Sequence, residues 1–223
     1  MPRNPVKPHG PLYLLAGQSR HPRVGPDPLL AAVLAHLDIR SPRTAYIGAA
    51  NGDDDEFFAM IKSVIVKAGA GVVKMVPLAD GHPIKAKVVA ELERADLIVM
   101  AGGDVEEGMR VLKSGGTDSL LRGLFDAGTP FLGLSAGSIM LAQAWVRWRD
   151  PADEASAERF PCLDFAPFLC DTHDEKSEWE ELRTLLSLSP KGSVAYGIPA
   201  DGALIVERDG SLSPCGRPVV RLA

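Results

Sequence analysis

Cysteine is scarce in this 223-residue chain, and neither a long apolar run nor a basic cluster is present. The three cysteines are an odd number without metal-ligand spacing, which favours a chain kept reduced in the cytoplasm and predicts no metal site. No apolar run approaches the roughly 20 residues that span a bilayer, and the stretch 12–16 is too short for the core of a signal peptide. A net charge of −5 without a stripe of Lys and Arg argues against nucleic-acid binding. These features predict a soluble, cytoplasmic globular protein.

Short apolar runs alternate with segments of helical periodicity in the first part of the chain. In chain order, the predicted strands are 11–16, 44–47, 72–76, 96–101 and 130–134, and the predicted helices between them are 29–37, 57–68, 85–94, 106–113 and 119–127. Strands that alternate with helices form βαβ units, which build a mostly parallel sheet between two layers of helices. The sequence therefore predicts the α/β class, with a single three-layer domain over 1–223 that begins with an irregular extension at 1–10.

The last part of the chain is less regular. The predicted elements there are helices at 137–145 and 177–186, a loop at 147–160, and strands at 203–207 and 219–222. Asp209-Gly210 is typical of a hairpin turn, and we predict that it joins these two strands.

Three glycine-rich loops follow predicted strands, at 48–53, 102–104 and 133–137. Ligands of parallel sheets bind at the carboxyl ends of the strands, so these loops are expected to meet at one site. Because the Lys-Ser/Thr of a phosphate loop and the full dinucleotide fingerprint are missing, the loops do not indicate a nucleotide cofactor. We predict that the protein needs no cofactor.

The loop Gly133-Leu-Ser-Ala-Gly137 lies between a buried strand and a helix, which is the setting of a nucleophile elbow. In that setting Ser135 is a nucleophile, and the backbone N–H groups of Ala136 and Gly103 form an oxyanion hole. The alternatives are a tight turn with an inert serine and, at Asp104, an ordinary helix cap. The cap and the oxyanion hole are compatible, since one uses the Asp104 side chain and the other the Gly103 backbone.

A serine nucleophile needs a base and a group that orients the base. Of the five histidines, His9, His21, His36 and His82 precede Ser135, and only His173 follows it. His173 comes after the apolar run 165–169 and before a predicted helix, so it is either the base at a strand end or a solvated loop residue. The candidate acids are Asp201, Asp171 and Asp150, each of which is also suited to a turn or a cap.

Four segments of the chain carry a resemblance to a known family. They are Val99-Met-Ala-Gly-Gly-Asp104, Gly133-Leu-Ser-Ala-Gly-Ser138, Leu163-Asp-Phe-Ala-Pro-Phe-Leu-Cys-Asp-Thr-His173 and Gly197-Ile-Pro-Ala-Asp-Gly-Ala203. In order and spacing they resemble the dipeptidase E/cyanophycinase family of serine peptidases, over about 44–206. The resemblance implies a class I glutamine amidotransferase-like fold and a metal-free Ser–His–acid arrangement. It makes Ser135 the nucleophile, His173 the base, and Gly103 and Ala136 the oxyanion hole.

Two departures from the family pattern concern the acid and the substrate. Where the family carries Glu after Gly-Ile-Pro, this chain has Ala200, and Asp201 stands one position later as the predicted acid. Family members that take acidic substrates carry arginines in the helix after the histidine, whereas here the first arginine is Arg183. We therefore expect a pocket that does not prefer N-terminal Asp and that favours neutral or basic residues.

The predicted function is cleavage of short peptides through an acyl-enzyme on Ser135, with Asp104, Asn51 and Thr172 in the substrate pocket. The expected partner is a small peptide, with no nucleic acid and no membrane, and a homodimer is left open. One rival is an esterase of the α/β-hydrolase type, which would need an acid before His173, such as Asp150 or Asp164. The other rival is a ligand-binding domain that has lost its acid and its catalysis.

Overall fold

The computed structural model describes residues 9–17, 25–79, 84–150 and 152–223. The strands are β1 (Leu12–Leu15), β2 (Thr44–Ile47), β3 (Val73–Met75), β4 (Leu97–Met100), β5 (Phe131–Leu134), β6 (Ala144–Trp148), β7 (Ala157–Pro161), β8 (Leu169–Thr172), β9 (Ala195–Ile198), β10 (Gly202–Val206), β11 (Leu212–Gly216) and β12 (Val220–Leu222). The helices are α1 (Pro28–His36), α2 (Asp55–Ala68), α3 (Ala86–Glu93), α4 (Val105–Ser114), α5 (Thr117–Asp126), α6 (Ala136–Leu141) and α7 (Glu180–Ser187). The sequence-predicted His21 and His82 lie outside the described ranges.

The main sheet has seven strands in the order β11-β10-β1-β5-β4-β2-β3. From β1 to β3 neighbouring strands are parallel, and β10 and β11 add an antiparallel edge. Strands β1, β2, β4 and β5 are buried along their whole length because helices cover both faces. Alternate residues of β1 enter different cores: Leu12 and Leu14 pack on one face, and Tyr13 and Leu15 on the other. The predicted α/β class, with a mostly parallel sheet between helices, is confirmed.

A second sheet of three strands, in the order β12-β9-β8, lies beside the main one. Strands β8 and β9 are parallel, and β12 runs antiparallel to β9. Strand β8 is buried, and α6 of the main domain core and α7 both pack near it. This small sheet brings the chain after residue 169 to the carboxyl ends of β4 and β5.

The predicted helix over 137–145 is wrong at its end, because α6 stops at Leu141 and Ala144 begins β6. The carbonyls of Met140, Leu141 and Ala142, which a further turn would use, accept hydrogen bonds from the backbone of 163–166 instead. The helical periodicity of the sequence cannot reveal that competing partner, since it lies more than 20 residues away.

The predicted loop over 147–160 is also wrong, since β6 and β7 form an antiparallel hairpin there. Arg147 faces Glu158 across the two strands and forms an ion pair with it. Opposite charges at facing positions stabilise a strand pair. A run of charged residues can therefore form a hairpin, although its composition is also typical of a solvated loop.

The turn at Asp209-Gly210 joins β10 to β11 rather than to the last strand, which corrects the predicted hairpin. The sequence of β11 contains Pro214, which argues against a strand but is tolerated at the edge of a sheet. The last strand, β12, pairs with β9 in the second sheet. None of the helices in the described ranges is long and apolar enough to cross a bilayer.

Candidate active site

Ser135 lies between β5 and α6 with φ 54° and ψ −120°, a strained conformation for a residue with a side chain. Its N–H donates to the Leu15 carbonyl at 3.0 Å, and its own carbonyl accepts from the Ser138 N–H at 2.8 Å. Strain of this kind persists only where neighbouring contacts enforce it. The elbow predicted from the sequence is thus a tight, backbone-held turn at the carboxyl end of a central strand.

The glycines on either side of Ser135 are required by close backbone contacts. A Cβ on Gly137 would lie 2.0 Å from the Met100 carbonyl oxygen, and one on Gly133 would lie 2.5 Å from the Ser138 Cα. Helix α6 can therefore approach β4 and β5 only if both positions lack side chains.

His173 directly follows β8, which places it over the elbow. The distance between Ser135 Oγ and His173 Nε2 is 2.7 Å, which suits a hydroxyl that donates to a neutral imidazole. The His173 N–H donates to the Ile198 carbonyl at 2.8 Å, so the backbone of β9 holds the residue at φ 48°. The structure brings together the serine and the histidine that the sequence predicted as nucleophile and base.

Two backbone N–H groups border the Ser135 side chain. Ala136 is the first residue of α6, where an N–H has no intrahelical acceptor, and the Gly103 N–H has no acceptor within the described ranges. Gly103 has φ 145°, and a Cβ there would lie 1.9 Å from the Ala50 carbonyl oxygen, so only glycine fits. Gly103 and Ala136 both line the same cavity as Ser135.

Asn51 supports this loop from behind. Its side-chain amide donates to the Gly102 carbonyl at 2.8 Å. Because the Gly102 carbonyl and the Gly103 N–H belong to one planar peptide, this bond fixes the direction of that N–H. Asn51 was predicted to line the substrate pocket, whereas its contact with Gly102 gives it a place in the support of the loop.

The cavity at Ser135 has a volume of about 310 Å³. Its lining includes seven residues that the sequence singled out, namely Ser135, His173, Gly103, Ala136, Asp104, Thr172 and Asp171. Asp104 also caps α4, because its side chain accepts a hydrogen bond from the Glu107 N–H at 2.9 Å. Thr172 is buried, and its hydroxyl has no hydrogen-bond partner within the described ranges.

Asp171 is the candidate acid that lies on this cavity. It is only 6% exposed, and its Oδ1 accepts from the Thr172 N–H at 2.7 Å while Oδ2 has no partner in the described part of the chain. Its pKa is raised from 3.8 to about 7 mainly by burial. The hydrogen bond from the Thr172 N–H opposes this rise, and the negative charges of Glu181 and Asp174 add to it.

The other candidate acids lie elsewhere. Asp201 occupies the turn between β9 and β10 and borders a different cavity, together with Leu29 and Cys215. Asp150 accepts from the Ala152 N–H within the β6–β7 turn, and the backbone carbonyl of Asp164 accepts from Arg122. In the ranges that the structure describes, no carboxylate is hydrogen-bonded to His173. The assignment of an acid stays a prediction.

Glu175 is a carboxylate that the sequence did not single out. Its Oε1 accepts from the Ala200 N–H at 3.4 Å, and its buried Oε2 has no partner within the described residues. It thus approaches the position where the family pattern has a glutamate, from a point two residues after His173. A pairing between 175 and 200 is set by the docking of two sheet strands, which no local motif signals.

Five cavity residues were missed, namely Val105, Ile139, Trp145, Asp174 and Glu181. Trp145 comes from β6, and Glu181 from the first turn of α7. The cavity lining thus has four carboxylates, those of Asp104, Asp171, Asp174 and Glu181, and it includes no Lys or Arg. We call the group of Asp171, Asp174 and Glu181 the acidic wall.

Cys162 and Cys170 do not compete with Ser135 as nucleophiles. Burial raises the pKa of Cys162 to about 12 and raises that of Cys170 well above 9, so neither forms a thiolate at neutral pH. In the described ranges no group of acidic, histidine and cysteine side chains has an arrangement that could hold a metal ion.

A serine on a strand–helix elbow, within hydrogen-bond distance of a histidine at the carboxyl edge of a parallel sheet, defines a serine hydrolase. The chain matches the sequence profile of Peptidase family S51 over residues 13–213, and it therefore belongs to this family of serine peptidases. The resemblance to the dipeptidase E family is confirmed.

Solved structures of similar fold agree with this membership. A peptidase from an acI-B1 actinobacterium superposes with a TM-score of 0.71 at 19% identity, covering 97% of this chain and 95% of its own. A peptidase E protein of Listeria monocytogenes EGD-e superposes with a TM-score of 0.69 at 15% identity, covering 94% of this chain and 100% of its own. At these identities the likeness shows the fold. No curated protein sequence matches the chain significantly.

Proposed function

We propose that this serine peptidase hydrolyses short peptides through an acyl-enzyme on Ser135. The observation that carries the proposal is the 2.7 Å contact between Ser135 Oγ and His173 Nε2, next to two free backbone N–H groups. A nucleophile, its base and oxyanion donors are the minimum set for acyl transfer.

In the proposed reaction, His173 takes the hydroxyl proton as Ser135 Oγ attacks the peptide carbonyl carbon. The oxyanion accepts hydrogen bonds from the Gly103 and Ala136 N–H groups. The C–N bond then breaks, and the amine leaves with the proton that His173 returns. In the second half, His173 takes a proton from water, whose oxygen attacks the ester carbon and releases the acid and the free serine.

The size of the cavity supports short substrates. Its volume of about 310 Å³ is at the lower end of the range for small-molecule pockets. Trp145, Ile139 and Val105 are among the residues that border it. Residues of α7 and β6 border the cavity, so we expect it to admit a dipeptide or tripeptide more readily than a folded protein.

Labelling with a fluorophosphonate tests the nucleophile, because this reagent reacts only with an activated serine. We expect labelling of the native protein, none of Ser135→Ala, and at least hundredfold slower labelling of His173→Gln. Ser63→Ala is the matched control, since this serine is exposed on α2 and remote from the cavity. An unlabelled native protein would contradict the proposal.

The same assay assigns the carboxylate that orients His173. The variants are Asp201→Asn, Asp171→Asn, Asp150→Asn and Glu175→Gln, each of which keeps the size of the side chain. Loss of the orienting carboxylate leaves the imidazole in the wrong tautomer, which costs orders of magnitude in rate. A single slow variant identifies the acid, and four fast variants mean that Ser135 and His173 act as a pair.

A further inference from the structure

The acidic wall holds carboxylate oxygens that the described part of the protein leaves without donors. Asp171 is 6% exposed, yet its Oδ2 has no hydrogen-bond partner. Asp174 accepts from Ser177 Oγ with one oxygen, and its other oxygen, Oδ2, is buried without a partner. A buried carboxylate oxygen without a donor is costly, so these two atoms mark a place where a donor is expected to bind.

The charges around the wall are of one sign. The charged groups that raise the pKa of Asp171 are Glu181 and Asp174, and those that raise the pKa of Glu181 are Asp174 and Glu180. Glu181 also accepts a hydrogen bond from the Trp145 side chain, which lowers its pKa. Nearby arginines are engaged elsewhere: Arg147 binds Glu158 and Glu106, and Arg183 donates to the Glu178 carbonyl. The wall therefore presents negative charge to the cavity that no cation among the lining residues offsets.

We infer that the acidic wall is a subsite for a positively charged nitrogen of the substrate, either an ammonium or a guanidinium group. The inference rests on the proposed peptidase function and gives its substrate class. A cation with several N–H donors can satisfy the free oxygens of Asp171 and Asp174 and offset their charge at once. Trp145 lines the same cavity, and aromatic rings also attract organic cations.

The position of the wall links the bound charge to the chemistry. Asp171 and His173 stand two residues apart at the end of β8, and His173 in turn contacts Ser135. A substrate held by its cation at Asp171 thus brings its carbonyl groups to the serine within one cavity. Differential binding of this kind raises kcat/KM for the charged substrate over an uncharged one of the same shape.

Binding to the Ser135→Ala protein tests the subsite without any chemistry. The ligands form a two-by-two set: lysinamide, Nα-acetyl-lysinamide, norleucinamide and Nα-acetyl-norleucinamide. They carry two cations, the side-chain cation only, the α-ammonium only, and none. By calorimetry at pH 7, where α-amino groups with a pKa of about 7.7–8.0 are still mostly protonated, we expect at least tenfold tighter binding of one single-cation ligand than of the uncharged one. The better of the two shows which nitrogen the wall binds.

The wall residues are then tested in the same background. Adding Asp171→Asn or Glu181→Gln is expected to reduce the preference for the cationic ligand at least threefold. Glu178→Gln, which makes the same change in net charge on an exposed residue outside the cavity, is expected to leave it unchanged. Equal binding of all four ligands, or a preference that survives both wall variants, would overturn the inference.

The two proposals fail in different ways. If native protein is labelled by fluorophosphonate but the ligands bind equally, the peptidase mechanism stands and the subsite is wrong. If cations bind and labelling fails, the subsite stands and the acyl-enzyme proposal is wrong. The α-amide of Nα-acetyl-aspartic acid carries a side-chain carboxylate and no cation. If it bound more tightly than Nα-acetyl-lysinamide, the subsite would also be rejected, because the wall would then have to present a cation and not a carboxylate.

Discussion

The cleft of this peptidase has two walls that are built in different ways. One wall consists of the loops after β4 and β5, Gly102–Gly103 and Ser135–Ala136, and we call it the glycine wall. There, the backbone of Gly103 lies so close to the Ala50 carbonyl oxygen that it excludes a Cβ, and Gly103, Ser135 and Ala136 line the cavity. The acidic wall opposite is built from side chains that come from the second sheet and from α7.

The difference suggests a division of labour between constant chemistry and adjustable recognition. A glycine wall held by backbone contacts tolerates almost no substitution, because each change meets a carbonyl oxygen or a left-handed φ. Carboxylates on the acidic wall can be exchanged without moving the backbone, since they act through charge and hydrogen bonds. The first wall suits the bond-breaking step, and the second suits the choice of substrate.

The largest effect is expected from Gly103→Ala on the glycine wall. The new Cβ would lie 1.9 Å from the Ala50 carbonyl oxygen, and φ is 145°, so the loop must move. Loss of one oxyanion donor typically costs roughly a hundredfold or more in kcat. We expect a loss of that size in steady-state peptide hydrolysis.

Gly123→Ala is the matched control for this substitution. Gly123 lies within α5, and a Cβ there meets no atom within 4 Å. Alanine is the better helix former by about 1 kcal/mol, so this variant should melt slightly higher with unchanged kcat. Native kcat in Gly103→Ala would show that the glycine wall is not part of the catalytic machinery.

A smaller effect is expected from Asn51→Asp behind the same wall. A carboxylate can still accept from the Asp54 N–H, as the Asn51 oxygen does at 3.3 Å, but it cannot donate to the Gly102 carbonyl. Since the freed peptide would then turn its N–H away from the oxyanion, we expect kcat to fall about tenfold with KM nearly unchanged.

Tyr46→Phe serves as the control, because it removes only the weaker 3.4 Å contact of the Asn51 amide. Its kcat should stay within twofold of the native value. A rise in KM at constant kcat in Asn51→Asp would instead place Asn51 in the substrate pocket, as the sequence predicted.

The two walls also differ in how far the sequence could predict them. The glycine wall is encoded in short contiguous motifs, so Gly103, Ser135 and Ala136 could be selected before their geometry was known. The acidic wall combines Asp171 and Asp174, from the end of β8 and the segment after it, with Glu181 of α7, and Trp145 of β6 lines the same cavity. The sequence predicts Trp145 and Glu181 in two separate helices, 137–145 and 177–186, and gives no sign that the two residues meet, because they lie 36 positions apart in the chain.

The same contrast holds for the fold. Strands buried on both faces are continuous apolar runs, and β2 was predicted at Thr44–Ile47, where the structure has it. Strands β9 and β11 were not predicted, since glycine in the first and proline in the second weaken the strand signal. Their pairing partners, rather than their own residues, determine that they are strands.

The smallest expected effect is a pH-dependent change in the melting temperature of Asp171→Asn, a variant of the acidic wall. Burial raises the native pKa of Asp171 to about 7 from an ordinary 3.8, so between these values the native state binds a proton that the unfolded state has lost. Stability therefore falls as pH rises through this window, and the penalty is complete above pH 7. Asparagine keeps the acceptor for the Thr172 N–H and removes the charge. We expect a melting temperature higher than native by on the order of 5 °C at pH 8 and little change at pH 4.

Glu178→Gln, with the same change in net charge at an exposed site, should show no such dependence on pH. Differential scanning calorimetry at the two pH values measures both variants. A stabilisation of Asp171→Asn that is equal at pH 4 and pH 8 would mean that the carboxyl is not desolvated, and the acidic wall would lose its most buried member. A stabilisation confined to high pH, together with weaker binding of lysinamide, would show that the buried carboxylate of Asp171 lowers the stability of this protein and binds a cation beside the nucleophile.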